Sequence, residues 1–255
     1  MNPILVALVV FVCVFSGTLL GMYLRTVIPE HHLSEDSKDV IKLGMGLIAT
    51  IAALVLGLVI ASARSSYDAQ DAAVKHIAAK IILLDRQLAL YGPETKESRH
   101  LLRHIIAKKI DEIWPKERSQ LSRVDTSEVF GETGGEGLEY RIRELAPQND
   151  AQRGLQSHAL QISSEIMETR LMVLGATGGS VPLPFLVVVV LWLTFIFGCF
   201  GIFAPRNATV IAVLFVCALS VACAIFLILE MDQPFRGVMK ISSTPLRFTL
   251  SHLGQ

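Results

Sequence analysis

The chain has 255 residues, 52% of them hydrophobic, and a mean hydropathy of +0.51, values typical of an integral membrane protein. Its 23 basic and 23 acidic side chains give a formal net charge of zero, so global charge does not indicate nucleic acid or an acidic partner. The four cysteines lie inside apolar segments, and we therefore expect neither disulfides nor a zinc site.

Four apolar segments are long enough to cross a bilayer. They are residues 4–24, 43–63, 182–203 and 208–229. The first lacks a basic stretch before it, so we interpret it as an anchor rather than a cleaved signal peptide. Together they predict an all-α membrane protein with four transmembrane helices and a helical cytosolic block between spans two and three. Its segments are 1–63 (spans one and two with a short outer loop), 64–180 (the helical block), 181–230 (spans three and four) and 231–255 (a cytosolic tail).

The second span is predicted to continue as one helix over residues 43–91, until Gly92-Pro93 ends it. Beyond Arg64 its apolar residues recur at three and four positions, as in a coiled-coil seam, and we expect them to be buried against other helices. They are Val74, Ile77, Ile81, Leu84 and Leu88.

The rest of the block reads as helices. Residues 95–114 carry one broad apolar face, 138–145 form a short helix, and Asp150 is a candidate N-cap for another helix. The glycine-rich residues 131–137 are predicted to form a flexible loop. Seven basic residues near span ends on the side of the block, against four on the other side, place the block and both termini in the cytoplasm, with the spans in the inner (plasma) membrane.

The second span has two contrasting faces. Small residues recur at every fourth position, at Ala49, Ala53, Gly57 and Ala61, and we expect this ladder to pack closely against helices. The other face carries a stripe that is either an ordinary packing or lipid surface or the lining of a hydrophobic pore constriction. Its members are Ile48, Ile51, Val55, Leu58 and Ser62.

Two acids stand where the fourth span ends. Glu230 and Asp232 either pair with Arg64, Arg236 or backbone amides, or form, with Arg64, a ring of charge at the inner mouth of a pore.

The sequence contains no P-loop, no GxGxxG or GxSxG motif, and no cysteine-histidine pairing that indicates catalysis. His100 and His104 share a helix face, but no third ligand is evident, so we expect a solvated or interfacial face and no metal site. Five acidic residues are interpreted as solvated helix positions: Asp68, Asp71, Asp85, Asp111 and Glu112. We therefore expect no enzyme and no cofactor.

Several segments together resemble the bestrophin-like domain family of bacterial membrane proteins. They are residues 43–64 followed by Ser65-Ser66-Tyr67, residues Leu84-Asp85-Arg86 to Tyr91-Gly92, Ile113-Trp114-Pro115, and Asp232-x-Pro234-Phe235-x-Gly237. The resemblance implies four spans, both termini inside, a helical cytosolic block, and a homo-oligomeric ion pore lined by span two. The aliphatic stripe replaces the phenylalanines of true bestrophins, and their dense acidic calcium clasp is missing, so calcium gating and anion selectivity are not carried over.

We therefore expect a homo-oligomeric ion channel whose partners are the lipid bilayer and small inorganic ions, without nucleic acid. The subunit number stays open, with a pentamer as one candidate. One alternative is a membrane-anchored interaction protein with a helical platform and no pore. Another is a transporter or membrane-embedded enzyme, against which the absence of ionisable residues from the four spans argues.

Overall fold

A computed structural model describes residues 2–28, 35–114, 134–176, 183–205, 207–235 and 237–254. Within these ranges the chain is helical and contains no strand, as the sequence predicted. Four helices are long and apolar enough to cross a membrane: α1, α2, α6 and α7. The bounds are α1 Pro3–Val27, α2 Glu35–Tyr91, α3 Lys96–Ile113, α4 Gly134–Arg143, α5 Asp150–Ala176, α6 Leu183–Phe203, α7 Ala208–Met231 and α8 Thr244–His252.

The chain divides into two compact units. The first comprises Met1–Tyr67 and Gly179–Met239, and the second comprises Asp68–Gly178 and Lys240–Gln255. Helix α2 is continuous and contributes residues to both. The end of the chain, interpreted from sequence as a separate tail, belongs from Lys240 onward to the same unit as the helical block.

In the first unit, α1 packs against both α6 and α7. The apolar side chains of all three helices form one cluster. Its buried members are Val6, Val10, Val14, Phe197, Ala218 and Ile225. These positions recur every four residues along α1 and lie seven residues apart along α7, so each of these two helices buries one stripe and leaves its other sides more exposed.

Helices α1 and α6 approach each other closely enough for their backbones to touch. A Cβ atom on Gly17 would stand 2.8 Å from the carbonyl oxygen of Thr194. Cβ atoms on Gly21 and Gly201 would collide with the carbonyl oxygens of Gly198 and Thr18. Only glycine permits such backbone contact, which is how helices associate in lipid. The motif Gly17-x-x-x-Gly21 in the sequence indicates such a contact, but the sequence analysis predicted close helix packing only for the α2 ladder.

The second unit is built on the predicted seam of α2. Val74, Ile81, Leu84 and Leu88 are buried, as predicted, and Ile77 is half-buried. Buried side chains of the other helices complete the core. They include Leu101, Leu102, Ile110, Ile142, Ala159, Ile162, Leu246 and Leu250.

Helix α2 ends as the sequence predicted. Gly92 has φ +139°, a conformation that favours glycine, and Pro93 opens the next turn, a 3₁₀ helix over Pro93–Thr95. The buried Thr95 hydroxyl shares its one proton between the carbonyl oxygens of Leu88 (2.5 Å) and Gly92 (2.9 Å). The carbonyl group of Leu88 is one that the end of α2 leaves without a partner in the helix.

Several predicted boundaries were wrong. Helix α2 begins at Glu35, well before residue 43, because helix formation does not require the apolar character by which the span was recognised. Helix α4 begins at Gly134, inside the predicted loop 131–137, whose first residues lie outside the described ranges. The N-cap of α5 is Asn149 rather than Asp150, because the Asn149 side chain accepts a hydrogen bond from the Gln152 amide (2.8 Å).

The end of the chain is held in the second unit by two buried hydrogen bonds. The Trp114 indole donates to the carbonyl oxygen of Ile241 (2.8 Å), and the Thr249 hydroxyl of α8 donates to the carbonyl oxygen of Ala78 (3.2 Å). Helix α8 was not predicted, because its nine residues carry too short an apolar pattern to be recognised alone.

The interpretation of Asp85 as a solvated residue was wrong. Its side chain is buried, and both carboxylate oxygens accept hydrogen bonds from the Arg99 guanidinium at 2.8 Å. The Gly254 amide also donates to Asp85 (3.3 Å). The hydrogen bonds from Arg99 to Asp85, together with the negative charge of Asp85, raise the pKa of Arg99, despite the opposing effect of burial. The pair joins α2, α3 and the end of the chain.

Candidate functional site

The membrane part of α2 packs against its own chain along one narrow strip. Ala52, Leu56, Val59 and Ala63 form this packed strip at spacings of four and three, and each is buried or partly buried. Leu56, Val59 and Ala63 belong to a cluster with Ile228, Met231, Tyr67 and Met239. In the most apolar 18 residues of α2, only 11% are buried, whereas 22–28% are buried in the corresponding stretches of the other three spans. Most of the second span is therefore uncovered by the described part of its own chain.

The predicted pore stripe lies outside the packed strip. Leu58 is 65% exposed, Ile51 is 41% exposed, and Ser62 is exposed as well. Ile48 and Val55 are half-buried. At roughly 100° per residue, Val55 lies nearer to the packed strip than Ile51 and Leu58 do. The stripe therefore runs from the edge of the packed strip toward the uncovered side of the helix.

The side of α2 opposite the packed strip is apolar. Leu54 lies roughly 180° from the strip, between the directions of Leu58 and of the small-residue ladder, and is 66% exposed. The sequence interpretation did not include Leu54 in the stripe. The missing signal was the direction in which the helix packs, which periodicity alone does not give.

The small-residue ladder lies on the remaining flank. Ala49, Ala53, Gly57 and Ala61 are exposed, and a Cβ atom on Gly57 would meet nothing within 4 Å. The ladder therefore makes no close helix packing within the described part of its own chain. The prediction that the ladder packs against helices stays a prediction.

Glu230, at the end of α7, is almost fully buried. One carboxylate oxygen accepts hydrogen bonds from the backbone amides of Val238 (2.6 Å) and Met239 (3.3 Å). Gly237 has φ +94°, and a Cβ atom there would collide with the Glu230 carboxylate. The segment after α7 thus folds around this carboxylate, and Gly237 allows the close approach. The hydrogen bonds to backbone amides that one reading of Glu230 expects are present, and a place for Glu230 in a ring of charge stays a prediction.

The other two residues predicted at the inner mouth are more accessible. Arg64 is exposed on α2, and its guanidinium carbon lies 6.0 Å from the centre of the Tyr67 ring, in a cation–π geometry. Asp232 is half-buried and follows α7 directly. A role for these two side chains in setting the potential of a pore stays a prediction.

The two histidines that share a face of α3 are His100 and His104. His100 is exposed and His104 half-exposed on α3. Within the described ranges, no three histidine, cysteine, aspartate or glutamate side chains come together as metal ligands would.

Comparison with known proteins places the chain in a family. A family model described as the Bestrophin-like domain matches residues 12–246, nearly the whole length. The chain belongs to the Bestrophin-like domain family. Comparison with curated proteins and with solved structures gave no significant match. The family match confirms the resemblance seen in the sequence, and its range includes the packed strip, the α2 ladder and the Glu230 turn of this bestrophin-like chain.

Proposed function

We propose that this bestrophin-like chain forms a homo-oligomeric ion channel in which copies of α2 surround the pore. The observation that carries the proposal is the uncovered membrane part of α2. A helix that packs along one strip and leaves an apolar side and a small-residue flank uncovered suits a position between neighbouring copies and a central axis. The family match adds support, because bestrophin-like proteins are generally oligomeric and membrane-associated.

The side chains that would face the pore axis are inferred from their exposure on α2. With the packed strip directed outward to α7, the opposite side of α2 faces inward, and it carries Ile51, Leu54 and Leu58. Narrow aliphatic rings exclude water, so this constriction would gate by dewetting. Ser62 would line a wider mouth beyond it.

The two flanks of α2 are complementary in shape. The ladder flank exposes Ala53 and Gly57, and the opposite flank carries Ile48 and Val55. In a ring, one flank of each copy meets the other flank of the next copy, which is a head-to-tail contact. Small residues that face large aliphatic ones allow the helices to pack closely. Van der Waals contact of this kind drives helix association in a bilayer, where the hydrophobic effect does not. In this arrangement both termini lie in the cytoplasm of a cell whose inner membrane holds the spans. The chain has no enzymatic role.

Ion flux through purified protein in liposomes tests the proposal. Leu58→Ser should raise conductance, because a hydroxyl eases wetting of the constriction. Leu8→Ser is the matched control, since Leu8 is 60% exposed on α1 and lies outside α2. Equal flux from wild type and Leu58→Ser would refute the assignment of Leu58 to the pore. Absence of flux from both, with a monomeric protein, would favour the interaction platform without a pore.

A further inference from the structure

The second unit contains a cavity lined by basic side chains. Its volume is about 340 Å³, and it lies between the first two turns of α3, the Gly92-Pro93 turn and Gly254 near the end of the chain. Four basic residues of α3 line it: Lys96, Arg99, His100 and Arg103. Among the described residues that line this cavity, none is acidic.

The spacing of the four residues directs them to one helix face. They stand at positions i, i+3, i+4 and i+7 of α3, so successive side chains are neighbours. Like charges at such spacing destabilise an isolated helix. Packing alone does not account for the cluster, because Lys96, His100 and Arg103 are at least partly accessible and fill no core position.

One of the four has its own counter-charge. Both oxygens of Asp85 hold the Nε and Nη2 atoms of Arg99 at 2.8 Å, which fixes the guanidinium at the cavity wall. This pair is formally neutral. Lys96 and Arg103 contribute about two positive charges, of which the Glu94 carboxylate, close to Gly92, offsets at most one. The cavity thus combines a rigid wall with an excess of positive charge.

We propose that this cavity binds a small phosphorylated anion. Phosphate oxygens accept several charge-assisted hydrogen bonds at once, and a guanidinium and an ammonium group that converge on one space match that geometry. The volume is at the lower end of the range for small-molecule pockets, which fits an anion of the size of inorganic pyrophosphate. Lys96 and Arg103 bind the anion directly, His100 assists, and Arg99 positions the wall. The proposal is independent of whether α2 lines a pore.

Isothermal titration calorimetry of the full chain in nanodiscs of neutral lipid, with pyrophosphate as the probe, tests the site. Wild type should bind, and Arg103→Gln and Lys96→Gln should each weaken binding roughly tenfold, the loss of one charge-assisted hydrogen bond. Lys108→Gln removes the same charge from an exposed position of α3 outside the cavity and should change affinity less than twofold. Thermal unfolding of each variant should match that of wild type.

A second arm distinguishes the source of the phosphate. In nanodiscs containing phosphatidylglycerol, unchanged pyrophosphate affinity indicates a water-soluble ligand, and competition by the lipid indicates a headgroup phosphate in the same site. Both outcomes support the anion site. Lack of pyrophosphate binding by wild type in neutral nanodiscs would overturn it. Equal weakening in Lys108→Gln and Arg103→Gln would also overturn it, because the effect would then be one of general charge.

Discussion

Removing the Asp85 carboxylate should destabilise the second unit strongly. The Asp85 side chain is 8% exposed and the Arg99 side chain 19%, so Asp85→Ala leaves a largely buried cation without its partner. The Gly254 amide loses an acceptor as well. Removing one partner of a buried ion pair lowers the free energy of unfolding by about 3–5 kcal/mol. Because the Arg99 side chain borders a water-accessible cavity, we expect a loss at the lower end, about 3 kcal/mol.

The chain offers a matched control on the same helix. Asp71 pairs with Lys75 at 2.7 Å, but the Lys75 side chain is 62% exposed, so Asp71→Ala should cost about 0.5 kcal/mol. The free energy of unfolding can be followed by guanidinium denaturation in detergent, with the fluorescence of the buried Trp114 as the signal. A Trp192→Phe background leaves Trp114 as the sole tryptophan.

A double-mutant cycle with Arg99→Ala separates pairing from packing. If the two side chains stabilise the unit through each other, the double variant should lose at least 1 kcal/mol less than the sum of the single losses. Additive losses, or an Asp85→Ala cost no larger than that of Asp71→Ala, would refute the claim that the pair holds α2, α3 and the chain end together.

Three further outcomes are expected. Leu84→Ala should lower the free energy of unfolding by roughly 2–5 kcal/mol, because the side chain is 1% exposed; an unchanged denaturation midpoint would mean that the seam does not form the core. Gly21→Ala should lower the thermal midpoint of the full chain by forcing α1 away from α6, whereas Gly57→Leu should leave the fold intact and reduce the oligomer size seen by light scattering. If Gly57→Leu keeps the parental size, the ladder is not a subunit contact. The ion pair with Lys80 (2.5 Å) lowers the pKa of Glu165 in the folded protein. The stabilisation from this pair is therefore complete above the ordinary glutamate pKa and is lost as pH falls through the lower pKa of the folded state. A Glu165→Gln variant should lack this acid-dependent loss of stability when unfolding is measured as a function of pH.

Patterns that depend on neighbouring residues were readable from the sequence. The four spans follow from runs of apolar residues, and the α2 seam follows from spacings of three and four. The stop at Gly92-Pro93 follows from the backbone freedom of glycine and the missing amide of proline. Each of these features is set by residues close together along the chain, so the order of residues determines it without knowledge of the fold.

Features that join distant parts of the chain were decided only by tertiary structure. Asp85 reads as one more charged helix residue until Arg99 and Gly254 are brought against it. Glu230 reads as an exposed acid until the backbone beyond Gly237 folds back to it. The α2 ladder and the Gly17/Gly21 pair carry the same small-residue signal, yet among the described residues it is the glycine pair that meets another helix of the same chain. Periodicity states which residues share a face and not what that face meets.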